Sequence, residues 1–467
     1  MAPRIQELHF PDLDIPITID HITPVLPSSP IPASHGDTLY LSNLDDMIGS
    51  RVLTPTVYFF QSNSLCQNPK SVTTVLREAL ARVLVPYYPF SGRIREAKNG
   101  KLEVFFGPEQ GALLTEAHTE VSLANLGDLA VPNPAWKTLI YRFPDEQYFQ
   151  VVNMPLLIAQ VTQFSCGGFS LGLRVCHCLC DGPGAMQFIN AWAATAKAGS
   201  LVVNPKPCWD REIFQPRNPP KVEHPHTEFR IMDDGSTFTK SLWEVKPIQK
   251  CFRISREFQA HLKSLAQSVG NLPCTTFDSM AAHVWRSFVE ALDVKPLDYE
   301  LRLTFSVNAR PKLKEQPLKD GYYGNAFCVA CATSTVSSLR NGCLSDTAER
   351  VSEARLSMTE DYLRSTIDFV EVYRPKSLDS RGKLSITQWT RFSLYEHADF
   401  GWGRPIYAGP IDLTPTPHFC ILLPEGGADS EEAMLLCLCL PESASIRFGE
   451  LLSLKESTND SAKDRPD

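Results

Sequence analysis

The residues best suited to chemistry fall in one short run, His177-Cys-Leu-Cys-Asp181-Gly182. Histidine is the side chain fitted to proton transfer near neutral pH, with an ordinary pKa of about 6.5. An aspartate four residues on can orient the imidazole, or it can brace the turn as an ion-pair partner and leave the ring free. His-x-x-x-Asp is a short pattern that recurs by chance, and a satisfied core histidine would carry it equally well. Of the 11 histidines, however, only His177 meets it. It stands where a β-rich run gives way to a Gly/Pro turn, a place where side chains face clefts.

A competing pattern lies just upstream. Gly168-Phe-Ser170-Leu-Gly172 matches the Gly-x-Ser-x-Gly of serine hydrolases, which exposes its nucleophile on a strained strand-to-helix turn. Here Phe169 and Leu171 flank Ser170, and the strand character continues through Cys176 with no helix following. Ser170 therefore reads as a strand residue, with a serine hydrolase as the alternative function. Cys176, Cys178 and Cys180, and the pair Cys328 and Cys331, lack the two ligand pairs a structural zinc site needs. They read as packing thiols, and no metal site is expected.

These residues need elements to hold them. Ser71 precedes an apolar stripe at helical spacing, Val72, Val75, Leu76, Ala79, Leu80 and Val83, which stops before Pro86. Asn99-Gly100 between Gly92–Glu96 and Lys101–Phe106 predicts a hairpin. Leu156–Phe164 and Phe169–Cys176 predict adjacent strands, and Ala185–Ala198 a helix ended by Gly199. From Val203 to Lys240 periodicity lapses among six prolines, which predicts a crossover linker. Helices resume after Ser255 (closed by Gly270) and over Phe277–Leu292, a strand over Leu301–Val307, one helical stretch over Asp346–Val372, and a hairpin from Phe419–Pro424 and Ala433–Leu440. The expected organisation is an N-terminal half over 1–202, the linker 203–240, a C-terminal half over 241–455 and a frayed tail over 456–467. Helices with many short strands and no regular βαβ spacing indicate an α/β fold with mixed sheets.

Composition narrows the function. With 467 residues, 43% apolar and 21% charged, the chain is globular rather than disordered. Lys+Arg number 45 against 53 Asp+Glu, and no tract gathers basic residues, so no nucleic-acid partner is expected. The N-terminus carries no apolar signal core and no run is long enough to cross a membrane. The 14 cysteines are spread without a disulfide framework, so a cytoplasmic location is expected; a monomer is the expected assembly.

Near the C-terminal third, Asp399-Phe-Gly-Trp-Gly403 follows Ser385-Ile-Thr387-Gln-Trp389. Two glycines around Trp402 suggest a backbone passing tightly with Trp402 as one large buried anchor. Together, His177-x-x-x-Asp181-Gly182 and Asp399–Gly403 resemble the paired signatures of the plant BAHD acyltransferases. Val83–Arg93, Phe164–Gly168, Gly321-Tyr-Tyr-Gly-Asn325 and Ile386–Trp389 extend the likeness over nearly the whole chain, and Cys166-Gly-Gly is most similar to members using aromatic or fatty acyl-CoA donors.

The resemblance implies a two-domain chloramphenicol-acetyltransferase-like fold with mixed β-sheets and a channel between its halves. It implies acyl-CoA as co-substrate, no permanently bound cofactor, and a small alcohol or amine acceptor in specialised metabolism. On it, His177 matches the general base and Asp181 a structural partner paired with arginine, for which Arg310 is the candidate. Thr387 and Trp389 match positions facing the reacting carbonyl, while Asp399 and Trp402 belong to a structural motif. The bottom-up chemistry agrees: His177 would take the acceptor proton, and the Trp389 N–H or Thr387 hydroxyl could meet the oxyanion. Thr275 and Thr276, opening a helix, are weak candidates for CoA phosphate contacts, with an N-cap the plainer role. A non-catalytic binding protein on the same fold is the remaining alternative.

Overall fold

The computed structural model describes residues 5–453, apart from 32–35, 63–70, 108, 148–149, 234, 244, 268–271 and 427–432. The expected tail over 456–467 and the helix stop at Gly270 lie outside the described residues. The strands are β1 (Ile5–Leu8), β2 (Thr18–Val25), β3 (Thr38–Tyr40), β4 (Leu53–Phe60), β5 (Arg93–Glu96), β6 (Leu102–Phe105), β7 (Ala112–Thr119) and β8 (Leu157–Phe164). They continue as β9 (Phe169–Cys176), β10 (Ile248–Ile254), β11 (Glu300–Asn308), β12 (Phe327–Thr335), β13 (Lys383–Gln388), β14 (Tyr407–Gly409), β15 (Phe419–Pro424) and β16 (Met434–Leu440). The helices are α1 (Val72–Val83), α2 (Gly182–Ala198), α3 (Thr237–Trp243), α4 (Arg256–Gln267), α5 (Thr276–Ala291), α6 (Val336–Asn341), α7 (Leu344–Leu356), α8 (Glu360–Tyr373) and α9 (Glu442–Ser453).

Two mixed sheets carry the fold. A six-stranded sheet runs β14-β4-β9-β8-β7-β2, and a seven-stranded sheet runs β1-β10-β16-β15-β13-β11-β12. A small sheet, β3-β6-β5, contains the predicted hairpin. The stripe of α1 buries Val75, Leu76, Ala79, Leu80 and Val83 in the N-terminal core beside Trp192 of α2. Helices α4, α5 and α7 cover one face of the seven-stranded sheet, where Leu301, Leu303, Ala330, Leu384 and Ile386 are buried. Alternation along β12 turns Phe327, Val329, Cys331 and Thr333 to the other, half-buried face.

The sheets do not divide at the linker. Strand β1 pairs antiparallel with β10, so the N-terminus completes the C-terminal sheet, and β14 pairs with β4 in the N-terminal sheet. The segment 203–240 contains short 3-10 turns at Arg211–Phe214 and Thr227–Phe229 and leads into α3. It is fastened to α8, where Arg217 pairs with Asp368 (2.6 Å). Helix α2 starts at Gly182, three residues before the predicted Ala185, because the Asp181 carboxylate accepts the Gly184 N–H (3.1 Å) and Pro183 fits the first helical turn. The stretch expected as one helix over Asp346–Val372 is two, α7 and α8, since Thr359 caps a new start by accepting the Tyr362 N–H (3.2 Å).

The loop Asp399–Gly403 joins the last turn of α2 to the chain's C-terminal third. Asp399 Oδ1 accepts the N–H groups of Gly401 and Gly403 (2.9 Å each), and Oδ2 pairs with Lys197 (2.6 Å). Burial alone would raise that carboxyl; the ammonium and the two N–H groups outweigh it and hold Asp399 below its usual value. Gly401 (φ +112°) and Gly403 (φ +92°) occupy backbone regions closed to side chains.

The expected anchor is misassigned. Trp402 is only half-buried, edge-on to Phe169 at 5.3 Å, while its neighbour Phe400 is fully buried between Trp192 (5.4 Å) and Phe60 (6.0 Å). A glycine-flanked tryptophan signals a tight turn, but the turn places the preceding phenylalanine inward. Phe400→Ala should therefore cost about 3–5 kcal/mol, and Trp402→Ala clearly less. Denaturant melts of the two variants check this; equal losses would contradict it.

Candidate active site

The turn His177–Asp181 lies between β9 and α2, and each part of it is held by a different segment. The His177 N–H donates to the Val52 carbonyl (2.9 Å), and Cys178 Sγ donates to the Ser50 carbonyl (3.2 Å). The Leu179 carbonyl accepts from Arg211 (2.5 Å). Asp181 receives a bidentate pair from Arg310, at 2.7 and 2.9 Å, together with the Ala326 N–H (3.1 Å) and the Gly184 N–H. Arg310 also donates to the Gly324 carbonyl (2.8 Å). The aspartate thus satisfies itself on the C-terminal half and on its own helix, and the open choice between orienter and ion-pair partner is resolved toward the ion pair. Close packing at the same spot requires Gly184, where a Cβ would meet the Tyr323 carbonyl oxygen at 1.8 Å.

The imidazole of His177 is half-buried. Its Nδ1 is buried with no hydrogen-bond partner among the described residues, which leaves Nε2 as the open nitrogen. Phe327, at the start of β12, meets the ring edge-to-face at 6.0 Å. Register carries this face across the sheet: Ile386 lies beside Phe305 and Phe305 beside Ala330, so Thr387, Ser306 and Val329 share the side on which Phe327 projects. Thr387 and Trp389 are half-buried; the Trp389 ring packs against Phe392 (5.9 Å), and the side chain touches both the N-terminal core and the apolar cluster around Ile421 and Leu423 on the face of the seven-stranded sheet away from its helices. The structure thus brings His177, Asp181, Arg310 and Phe327 into contact. Thr387 and Trp389 lie on the same face as Phe327.

Other candidates sit elsewhere. Ser170 is fully buried in mid-strand opposite Phe59 and Thr162, and among the described residues its Oγ has no hydrogen-bond partner and no base placed to deprotonate it. Thr275 caps α5, and Asp278 three residues on closes the capping box while pairing with Arg355 (2.8 Å). That helix start already holds a carboxylate of its own. A Ser–His–Glu chain does occur: His226 lies 2.8 Å from Ser365 Oγ and 3.0 Å from Glu228, which accepts from Tyr362 (2.6 Å). All members are buried, and Ser365 Oγ already accepts the Glu223 and His224 N–H groups, so the chain ties the crossover segment to α8. Sequence reasoning missed the groups that grip the turn from outside, Arg211, Asn325 and Phe327. A motif of spaced residues in one stretch cannot flag partners brought in by folding.

The family model described as "Transferase family" matches residues 15–452. Alcohol acyl transferase 1 allele RGb of Malus domestica is 33% identical over 424 residues, covering 90% of this chain and 91% of that protein. Omega-hydroxypalmitate O-feruloyl transferase of Arabidopsis thaliana is 35% identical over 417 residues, 88% of each. Among solved structures, vinorine synthase superposes with a TM-score of 0.71 at 22% identity, over 94% of this chain and 98% of that one. F. graminearum TRI101, solved with coenzyme A and deoxynivalenol, gives 0.68 at 15% identity, over 88% and 96%.

Two predictions follow from these contacts. Breaking a buried carboxylate–guanidinium pair leaves one charge unpaired, so Asp181→Ala and Arg310→Ala should each cost about 3–5 kcal/mol. The double variant should lose less than the sum of the two, and strict additivity in melts would contradict their contact. The second concerns Lys383, buried on β13 beside Arg302. Desolvation, then the Arg302 charge, lowers it from 10.5 to about 8. Below about pH 8 both folded and unfolded chains carry this proton, and the folded state bears the full cost. Stability recovers as pH climbs from there toward 10.5. Lys383→Met should therefore stabilise at pH 7, by at most about 3 kcal/mol, with the gain fading by pH ~10. A gain that is flat with pH would contradict this.

Proposed function

Because the chain belongs to the BAHD acyltransferases of the Transferase family, and is an acyl-CoA-dependent acyltransferase, we propose that His177 is its general base and that the acyl group moves directly from CoA to the acceptor. The observation that carries this reading is the state of His177: an open Nε2 on a turn pinned from both halves, with no carboxylate among the described residues committed to its ring. Nε2 takes the proton of an acceptor hydroxyl or amine as that group attacks the thioester carbonyl. The Trp389 N–H or the Thr387 hydroxyl donates to the oxyanion that forms. The tetrahedral intermediate collapses by breaking the C–S bond, and the imidazolium returns its proton to the departing CoA thiolate. No acyl-enzyme is formed, and CoA is a good enough leaving group that none is needed.

The substrates are read from the same side. Relatives named for alcohol acyl transfer and for feruloyl transfer support an aromatic, hydroxycinnamoyl-like donor and an alcohol acceptor, with a fatty donor and an amine acceptor as the alternatives. The two halves, 1–202 and 241–455, would enclose a channel with His177 reached by acyl-CoA from one side and acceptor from the other. Among the described residues no helix is long and apolar enough to cross a membrane. A cytoplasmic monomer is the form proposed.

The test is turnover, read as free CoA thiol released with candidate alcohols and amines. His177→Ala should lower kcat by about two to four orders of magnitude while the chain still folds. A purified variant with near-normal transfer would sink the assignment. A wild-type protein that binds acyl-CoA yet releases no thiol with any acceptor would favour the non-catalytic reading.

A further inference from the structure

Among the described residues no side chain hydrogen-bonds the imidazole of His177, so its position depends on the backbone that bears it. That backbone meets an unusual grip. Three consecutive residues, Asn325, Ala326 and Phe327, touch three parts of the His177–Asp181 turn. Asn325 Nδ2 donates to the His177 carbonyl (2.8 Å), the Ala326 N–H donates to Asp181 Oδ2 (3.1 Å), and the Phe327 ring faces the imidazole. Ala326 is tied in turn to the residue that follows β11, its carbonyl accepting the Ala309 N–H (2.9 Å).

Asn325 is itself fixed from behind. It is fully buried, and Nδ2 also donates to Asp45 Oδ1 (2.8 Å), which accepts the Asn325 backbone N–H too (3.2 Å). Rotating the carboxamide by half a turn would set its oxygen against two acceptors, so its orientation is determined. Asp45 Oδ2 accepts the Ser42 N–H (3.0 Å), the Ser42 hydroxyl (2.7 Å) and Arg211 Nε (3.2 Å). Arg211 lies 3.8 Å from the Trp209 ring, 4.9 Å from Tyr323 and 5.2 Å from Tyr322, and it holds the Leu179 carbonyl on the same turn. Arg211, Asp45 and Asn325 thus form one buried chain that grips the turn at both the His177 and the Leu179 carbonyls.

We propose that Asn325 is a positioning residue for acyl transfer: its carboxamide, oriented by Asp45, sets the His177 peptide and thereby the place of Nε2 against the face of the seven-stranded sheet that bears Thr387. The proposal rests on His177 acting as the general base. Asp181 anchors the far end of the turn to Arg310, whereas Asn325 acts at the residue that bears the base. The two therefore serve different functions.

The experiment compares the full-length Asn325→Ala and Asn325→Asp variants with wild type in kcat, in KM for acyl-CoA and acceptor, and in melting temperature. A base displaced by about 1 Å loses on the order of a hundredfold in rate. Asn325→Ala should therefore lower kcat of the folded protein by about 10- to 100-fold, with both KM values within about twofold. Asn325→Asp has the same shape but presents acceptors where donors are needed. The titratable and charged groups around it are Asp45, His177, Asp181, Arg211, Arg310 and Tyr322; Asp45 sits against the substituted group and, with burial, disfavours its ionisation, while Arg211 is already paired with Asp45 and Arg310 with Asp181. Lowering the pH from 8 to 6 shifts it toward its protonated form, which restores a donor, so the ratio of its kcat to that of wild type should climb. Wild-type kcat in folded Asn325→Ala, or a flat ratio for Asn325→Asp, would overturn the proposal. So would two variants that fail to fold at every pH, since Asn325 would then serve the fold alone. An inert Asn325 beside an inactive His177→Ala would refute only the positioning role, while an active His177→Ala would refute the base itself.

Discussion

The pairing of Asp181 with Arg310 is the interaction on which the rest of the site depends. One buried carboxylate accepts two guanidinium bonds, a backbone N–H from the start of β12 and a backbone N–H from the first turn of α2. It therefore caps the helix, neutralises its own charge and fastens the two sheets together in one place. A carboxylate so committed has no oxygen left to orient an imidazole, which separates this arrangement from a Ser–His–Asp triad despite the close spacing in sequence. The histidine is placed instead through its peptide and by the packing of Phe327.

The halves are interlocked well beyond that pair. Strand β1 crosses into the C-terminal sheet, β14 crosses into the N-terminal one, and Phe400 is buried in the N-terminal core. The Asp399 carboxylate links that crossing segment to Lys197 at the end of α2, the helix that Asp181 begins. Both ends of α2 are therefore bound to residues from the C-terminal part of the chain. A turn mounted between β9 and a helix fixed at both ends has little freedom to drift, which suits direct transfer between two substrates.

Much of this was legible in the sequence where the signal is local. The stripe of α1, the Asn99-Gly100 hairpin and the β8–β9 pair follow from periodicity and turn chemistry within a dozen residues. Arg310 and Asp181 came from a resemblance rather than from spacing, since 129 residues separate them. Asp45 and Asn325 are 280 residues apart, and neither carries a pattern that announces the other. The two boundary errors have local causes: Asp-Gly-Pro-Gly reads as a turn although the aspartate caps a helix, and Thr359 restarts a helix inside an unbroken apolar period. The misplaced anchor, Trp402 for Phe400, shows that residue size alone does not say which side chain a glycine-rich turn buries.

The central claim is that the acyl group passes straight from CoA to the acceptor at His177, with no covalent stop on the protein. Rapid mixing of the wild-type chain with a stoichiometric amount of acyl-CoA, quenched over milliseconds to seconds and read by intact-protein mass, tests this most directly. The account predicts an unmodified chain at every time without acceptor, and thiol release only once acceptor is present. A chain that gains the mass of the acyl group and loses it when acceptor is added would contradict it.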